Sequence, residues 1–267
     1  MRIEGRGRID RTRPIDFTFD GVKYPGFAGD TLASALMANG VALVGRSFKY
    51  HRPRGVLTAG SEEPNALVTV GDGAFAEPNI RAPMQELYDG LVARSQNAWP
   101  SLERDVLAVN DLLAPFLSAG FYYKTFMWPK SFWEGLYEPF IRRAAGLGAL
   151  SGESNTSRYA RAFAHCDVLV IGAGPTGLRA ARVAAEAGLD VILADESWDM
   201  GGRLLSETLT VDGRPGADWA VEEAQALAAM GVPRMPRTTV TCAYDGGIIA
   251  ALARRGTATP ATPLPAT

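Results

Sequence analysis

The sequence predicts two domains of different class, an N-terminal α+β domain and an α/β dinucleotide-binding domain after it. Two observations lead to this prediction. Residues 15–70 have the pattern of a hairpin, a helix, a long irregular loop and another strand, and residues 167–196 have that of a strand, a glycine turn, a helix and a second strand. The length of 267 residues suits two ordinary domains, and 47% hydrophobic with 21% charged residues is a globular composition.

The N-terminal domain begins with a β-hairpin. In IDFTFDGVKYPGF, apolar and polar residues alternate on both sides of an Asp-Gly turn. The next stretch, GDTLASALMANGV, predicts a helix that is capped by Asp30 or Thr31 and ended by Gly40 in the left-handed conformation. Together with the later strand ALVTV, this is the order of elements in a plant-type ferredoxin. We therefore predict a ferredoxin-like (β-grasp) domain over residues 11–85.

The irregular loop of this domain does not carry the ligands of an iron-sulfur cluster. Plant-type ferredoxins hold their cluster with cysteines spaced C-x4-C-x2-C and with a distant fourth. When RGVLTAGSEEPNALV is aligned on the strand that begins at Leu67, Thr58, Glu63 and Ala66 stand at the three positions. A hydroxyl, a carboxylate and a methyl group do not replace three thiolates. We expect the domain to lack a cluster and to serve assembly.

Residues 86–160 are expected to connect the two domains. LERDVLAVNDLLAPFL has apolar residues at helical spacing, and nine aromatic residues lie between Gly120 and Phe140, which favours a packing surface. The polar stretch SGESNTS has the composition of a domain boundary. Residues 256–267, GTATPATPLPAT, have a composition that predicts a disordered tail.

The second domain, residues 161–255, carries the strongest motif. Gly172, Gly174 and Gly177 fit G-x-G-x-x-G directly after a predicted buried strand and at the start of a predicted helix. The first glycine permits the turn, the second leaves room for a pyrophosphate, and the third lets helix and strand pack closely. The amides at the helix N-terminus then face the phosphates, with Thr176 beside them.

An acidic residue follows at the end of the second strand. Asp195, with Glu196 after it, is placed to accept hydrogen bonds from the adenosine ribose, and a carboxylate there repels a 2'-phosphate, so NADP is disfavoured. The Gly-Gly pair in SWDMGGRLL is expected to return the chain to the nucleotide, with Arg203 near the phosphates. The motif alone leaves both NAD and FAD open. RTTVTCAY is a third candidate strand, and the Rossmann-like domain is expected to be incomplete.

Composition excludes several classes of function. A formal net charge of -2 gives no reason to expect nucleic acid or an anionic membrane as partner, and no window is long and apolar enough to span a bilayer, so a cytoplasmic protein is expected. The two histidines, His51 and His165, and the two cysteines, Cys166 and Cys242, lack ligand spacing and are interpreted as structural. No residue is predicted to be catalytic or to bind a metal.

Six stretches, in this order, carry a family resemblance: GDTLASALMANGV, GRSFKYHRPRG, SEEPNALV, SQNAWPSL, GFYYKTFMWP and VLVIGAGPTGL. The chain resembles the N-terminal part of the alpha subunit of heterotetrameric sarcosine oxidase from about Arg11 to about Arg255. The resemblance implies a cluster-free ferredoxin-like domain, an NAD-binding domain, and beta, gamma and delta subunits as partners. It also implies oxidation of sarcosine to glycine, with FAD on the beta subunit, FMN between alpha and beta, oxygen as acceptor and a distant folate domain on alpha.

The family's alpha subunit is several times longer than 267 residues. A premature stop or a frame change is therefore expected in preference to a natural flexible tail. Two functions stay open at this point. The chain is either the NAD-binding, partner-docking part of a sarcosine oxidase alpha subunit, or a non-catalytic truncated fragment that at most binds a dinucleotide. A self-contained FAD enzyme of the amine-oxidase or disulfide-reductase type is disfavoured, because the redox cysteine pair and a substrate domain are missing.

Overall fold

The computed structural model describes residues 2–3, 7–117, 119–120, 126–157 and 159–254. The chain divides into two compact units, Met1–Ser157 and Arg158–Thr267. This division falls at the end of the polar stretch that the sequence indicates as a boundary. The predicted disordered tail, and the aromatic residues at 121–123, lie outside the described residues.

The first unit contains seven strands and two α-helices within its described residues. The strands are β1 (Asp10–Phe19), β2 (Val22–Ala28), β3 (Gly45–Arg46), β4 (Pro53–Arg54), β5 (Leu67–Val70), β6 (Glu77–Arg81) and β7 (Leu91–Ser95). The helices are α1 (Leu32–Ala38) and α2 (Glu138–Ala144). Five strands form one mixed sheet in the order β2-β1-β7-β5-β6, in which only the β1–β7 pairing is parallel.

The apolar face of this sheet and helix α1 form the core of the first unit. Its fully buried side chains include Phe17, Leu32, Leu36, Val68 and Leu91. Strand β7 lies at the centre of the sheet, and so the sheet continues past residue 85, where the sequence places the end of the domain. Nothing in the sequence pattern marks this strand as the partner of β1, because a parallel pairing joins residues that are distant in sequence.

The predicted hairpin and helix are present, and the structure shows which of the two candidate residues caps the helix. Thr31 is the N-cap of α1 and forms a capping box with Ser34, whose amide donates to the Thr31 hydroxyl over 2.9 Å. Asp30 is not the cap. It is buried and accepts two hydrogen bonds from the Arg2 guanidinium, of 2.7 and 2.6 Å. Gly40 follows the helix with φ +80°, as the sequence predicts.

The connector is less helical than its apolar spacing indicates. Residues Val106–Asp111 form a 3-10 helix, and a π-helical turn, Trp133–Tyr137, leads into α2. His51 is buried, and its Nδ1 lies 2.6 Å from Oδ2 of the buried Asp105. Because Asp105 is the N-cap of the 3-10 helix, this contact joins the β3–β4 hairpin to the start of that helix, which fits the structural interpretation of His51.

In the part of the second unit that the structure describes, a three-stranded parallel sheet packs with two long helices. Its elements are β8 (Val168–Ile171), α3 (Pro175–Glu186), β9 (Val191–Ala194), β10 (Thr210–Val211), β11 (Arg214–Pro215), α4 (Gly216–Ala229), β12 (Arg234–Met235), β13 (Thr238–Ala243) and β14 (Ile249–Ala253). The sheet order is β12-β9-β8. Strand β9 is central and is buried throughout. Glu223 on α4 is buried against α3 and accepts a 2.8 Å hydrogen bond from Arg182.

The third parallel strand is not the stretch that the sequence predicts. The sequence predicts RTTVTCAY as this strand, but residues 234–235 pair with β9, and β13 instead forms an antiparallel hairpin with β14. Pairing with β9 begins at Pro233, whose carbonyl accepts from the amide of Leu193. The regular ladder ends at Met235, because Pro236 cannot donate to it and Arg237 has φ +54°. Strand propensity favours the β-branched residues of RTTVTCAY. The break in the backbone at residues 236–237 separates them from the parallel sheet and leaves only residues 234–235 in the ladder with β9.

Candidate dinucleotide site

The glycine loop lies between the carboxyl end of β8 and the first turn of α3. Gly172 has φ +96°, a conformation that side chains rarely adopt, and it turns the chain out of the strand. A Cβ on Gly177 would stand 1.8 Å from the carbonyl oxygen of Gly172. The third glycine of the motif is therefore required for close packing of the helix against the strand, as the sequence predicts.

The second glycine of the motif faces open space. Gly174 is the N-cap of α3, and a Cβ built on it meets no atom within 4 Å. It has no side chain that could accept a hydrogen bond from the first-turn amides, and those amides have no partner within the helix. Thr176 lies in this first turn and is exposed. A helix of 12 residues thus presents its N-terminal amides and its partial positive charge beside bare backbone, which suits a pyrophosphate.

The Gly-Gly pair returns the chain to this loop. The amide of Gly201 donates to the carbonyl of Ala173 over 2.8 Å, and a Cβ on Gly202 would lie 3.0 Å from the Cα of Gly174. Arg203 follows in the 3-10 helix Gly202–Leu205. Its side chain is 81% exposed and pairs with Glu207 over 2.7 Å. Arg203 thus directly follows the glycine that lies beside the loop, while its guanidinium is engaged with a carboxylate.

Asp195 lies at the carboxyl end of β9 and is anchored to the glycine loop. Its Oδ2 accepts a 2.5 Å hydrogen bond from the amide of Ala173, and its Oδ1 accepts a 2.7 Å bond from the amide of Ser197. A carboxylate oxygen has two lone pairs, so both oxygens keep capacity for a ligand hydroxyl. The neighbouring Glu196 is exposed.

Sequence reasoning missed the anchoring of Asp195. Its bond to the amide two residues on is an Asx-turn, for which Asp-x-Ser is a recognisable local signal. The bond to Ala173 joins two different strand ends and had no signal in the sequence. Both bonds fix the direction of the carboxylate before a ligand arrives, which is the property expected of a ribose-binding group.

The residues present fit a dinucleotide. Phosphate groups would lie against Gly174 and the first-turn amides of α3, and the ribose hydroxyls would bind at Asp195. The structure brings Gly172, Gly174, Gly177 and Asp195 together at one edge of the sheet, where ligands bind in open α/β folds. It does not assign a phosphate contact to Arg203 or a ribose contact to Glu196.

In the first unit, the loop that carries the aligned cluster-ligand positions encloses the side chain of Glu63. Glu63 is 1% exposed, and its carboxylate accepts four backbone hydrogen bonds. Leu57 and Thr58 donate to Oε2 over 2.7 and 2.6 Å, and Asn65 and Ala66 donate to Oε1 over 2.7 and 3.1 Å. Burial raises the pKa of Glu63, but the four hydrogen bonds together outweigh it and hold the pKa below its ordinary value.

These residues do not fit an iron-sulfur cluster. The ligand positions hold a hydroxyl, a carboxylate that is already bound to four amides, and a methyl group, and the two cysteines of the sequence, Cys166 and Cys242, belong to the second unit. Within the described ranges, no group of three or more His, Cys, Asp or Glu side chains is placed to hold a metal ion. Nor does any helix of the described chain have the length and apolarity of a membrane span.

Two domain families match the chain and define its class. Residues 12–98 match the family described as a 2Fe-2S iron-sulfur cluster binding domain, and residues 170–230 match the NAD(P)-binding Rossmann-like domain. Both predicted domains are thereby confirmed. The protein combines a ferredoxin-like domain with a dinucleotide-binding domain.

Curated relatives make the assignment more specific. The chain is 61% identical over 254 residues to sarcosine oxidase subunit alpha of Rhizobium meliloti (strain 1021), a match that covers 95% of this chain and 26% of that protein. It is 36% identical to the corresponding subunit of Corynebacterium sp. (strain U-96), over 93% of this chain and 21% of that protein. The chain is therefore homologous to sarcosine oxidase alpha subunits, as its motifs predict, and it spans about a quarter of their length.

A solved structure supports the fold. The L-proline dehydrogenase from P. horikoshii superposes with a TM-score of 0.54 at 17% sequence identity, over 94% of this chain and 38% of that chain. At this identity the likeness concerns architecture alone.

Proposed function

We propose that the second unit binds NAD, and that the chain serves a sarcosine oxidase-type complex as its nucleotide-binding and subunit-docking part. The observation that carries the first half is the pairing of open backbone at Gly174 with the anchored carboxylate of Asp195. The two features lie at the positions that contact the pyrophosphate and the adenosine ribose in Rossmann-like domains. Homology to an alpha subunit supports the second half.

Asp195 should make the site prefer NAD to NADP. Its carboxylate accepts hydrogen bonds from ribose hydroxyls but repels a 2'-phosphate, so Asp195→Asn should weaken NAD binding by about 1 to 3 kcal/mol and reduce the preference for NAD at least about tenfold. Isothermal titration with NAD and NADP measures both constants. Asp190→Asn is the matched control, because Asp190 is exposed at the opposite end of the same strand.

Two results would contradict this assignment. If the unmodified protein bound NAD and NADP with equal affinity, Asp195 would not discriminate between the two nucleotides. Copurification of a stoichiometric flavin, visible as a yellow protein, would assign the site to FAD, the alternative that the glycine motif leaves open.

We further propose that oxidation of sarcosine takes place on the flavins of the assembled complex, FAD and FMN, and that this chain contributes no catalytic residue. Its roles are to bind the nucleotide and to dock the beta, gamma and delta subunits. Homology to a sarcosine oxidase subunit supports partners of this kind.

An exposed aromatic segment of the first unit supports the docking role. It runs from residue 126 to residue 144 and includes the π-helical turn and α2. The ring of Tyr137 lies 5.3 Å from that of Phe126 and 6.1 Å from that of Phe132, measured between centroids. Trp128 is 83% exposed and Phe140 is 61% exposed. Large apolar side chains that stay in water at this density mark a protein interface.

The docking proposal is tested with Trp128→Ala and Phe140→Ala in the alpha subunit that is coexpressed with its partner subunits. Since both side chains are mostly exposed, the stability of the isolated chain should stay within about 0.5 kcal/mol, while association should weaken by about 2 kcal/mol or more if they are central to the interface. Met37→Ala, at another exposed apolar position, is the control. Unchanged association of both variants would exclude this segment as the docking surface.

A further inference from the structure

The loop that carries the former ligand positions has the chemistry of an anion receptor. Residues 55–66 form neither helix nor strand, so their amides lack the partners that regular structure supplies. Two pairs of consecutive amides, at 57–58 and at 65–66, converge on one point inside the loop. Successive backbone N–H groups that converge in this way form a nest, which binds negative charge.

The position of this nest relates it to the iron-sulfur domain family that the residues match. A cluster held by four thiolates is anionic, and backbone amides donate hydrogen bonds to its sulfur atoms. In this chain the thiolates are absent, and a carboxylate from within the loop takes the bonds of four amides. Glu63 itself stands at one of the three aligned ligand positions, so this chain has a negatively charged carboxylate where a cluster-binding ferredoxin has a thiolate.

We propose that residues 57–66 form an anion-binding nest whose built-in occupant is the carboxylate of Glu63, and that this carboxylate organises the loop in place of a cluster. The acceptor in the nest is a planar carboxylate, and each of its two oxygens accepts hydrogen bonds from two amides. The ligand class of the nest is therefore the small carboxylate. The nest should remain able to bind such an anion from solution once the Glu63 side chain is shortened.

The Glu63→Ala variant tests this proposal in the full chain by chemical rescue. The substitution removes Cγ and the carboxyl group, and these atoms together have the size and charge of acetate. Without a partner, the amides of Leu57, Thr58, Asn65 and Ala66 should exchange hydrogen about tenfold faster or more, since the loss of such bonds costs at least about 1.4 kcal/mol. Saturating acetate should return exchange at these four amides toward the rate of the unmodified protein.

Three controls separate an anion nest from a general effect. Acetamide has the shape of acetate without its charge and should not restore protection, and chloride at equal ionic strength should not either. Glu62→Ala changes the exposed neighbouring carboxylate and should leave the four amides unchanged with or without acetate. Glu63→Asp keeps the charge on a shorter stem, so it should be less perturbed than Glu63→Ala and less responsive to acetate.

Several outcomes would overturn the proposal. Equal rescue by acetamide would show that shape, and not charge, is recognised. If acetate slowed exchange at these amides as much in Glu62→Ala as in Glu63→Ala, its effect would be a nonspecific solvent effect. If Glu63→Ala does not fold alone, its refolding yield in acetate against chloride gives the same comparison, and no difference between the two salts would refute the nest.

Discussion

Gly177→Ala should unfold the second unit and abolish dinucleotide binding. The added Cβ would stand 1.8 Å from the carbonyl oxygen of Gly172 and 2.9 Å from its carbonyl carbon. Backbone atoms cannot move away without separating α3 from β8, whose packing builds the site. The cost is on the order of the whole stability of a domain, about 5 kcal/mol or more. Thermal unfolding and NAD titration of the purified variant measure both losses.

Gly174→Ala is the matched control for this prediction. At Gly174 φ is -70°, and the new methyl group would meet no protein atom within 4 Å, so stability should change by no more than about 0.5 kcal/mol. The methyl group would occupy the space assigned to the pyrophosphate, and NAD affinity should fall about tenfold or more, which is 1.4 kcal/mol. A folded Gly177→Ala variant, or a Gly174→Ala variant with full NAD affinity, would contradict this account of the loop.

Acid should destabilise the first unit through Glu63. Four amide hydrogen bonds hold its pKa in the folded state below the ordinary value of about 4.3. The unfolded state therefore binds more protons at acidic pH. The stabilisation from Glu63 is fully present above the unfolded pKa and is lost as pH falls through the lower folded pKa. Chemical denaturation from pH 7 to pH 3 measures this dependence.

Glu63→Gln isolates the contribution of this carboxylate to the pH dependence. The amide group keeps one acceptor oxygen but turns an NH2 toward two backbone donors, so the variant should lose about 2 to 5 kcal/mol at pH 7. The difference in unfolding free energy from the unmodified protein should shrink as pH falls below about 4. A pH-independent difference would mean that Glu63 acts by packing and not by charge.

Local signals were sufficient to predict much of the fold. The Asp-Gly turn fixes the β1–β2 hairpin, Thr31 and Gly40 delimit α1, and the strand-glycine-helix pattern locates β8 and α3. Each signal depends on residues within one turn or one strand of each other, where steric and hydrogen-bonding preferences act directly.

Tertiary contacts decided the rest. Strand β7 pairs in parallel with the distant β1, and β12 is only two residues long, so neither carries a periodic pattern that could identify its partner. Glu63 was recognisable in sequence as a residue that cannot replace a thiolate. Its role as acceptor for four amides is evident only from the folded loop, because the donors come from residues both before and after Glu63 in the sequence and converge only when the loop folds.

The most direct test of the central claim, that the loop from Gly172 to Gly177 binds NAD, is backbone amide NMR of the isotopically labelled chain during titration with NAD. The largest chemical shift changes should occur at Thr176 and Gly177 in the first turn of α3, with further changes at Asp195 and none of similar size in residues 12–98. Saturable shifts at these amides would support the site. Binding that leaves them unchanged, or shifts confined to the first unit, would contradict it.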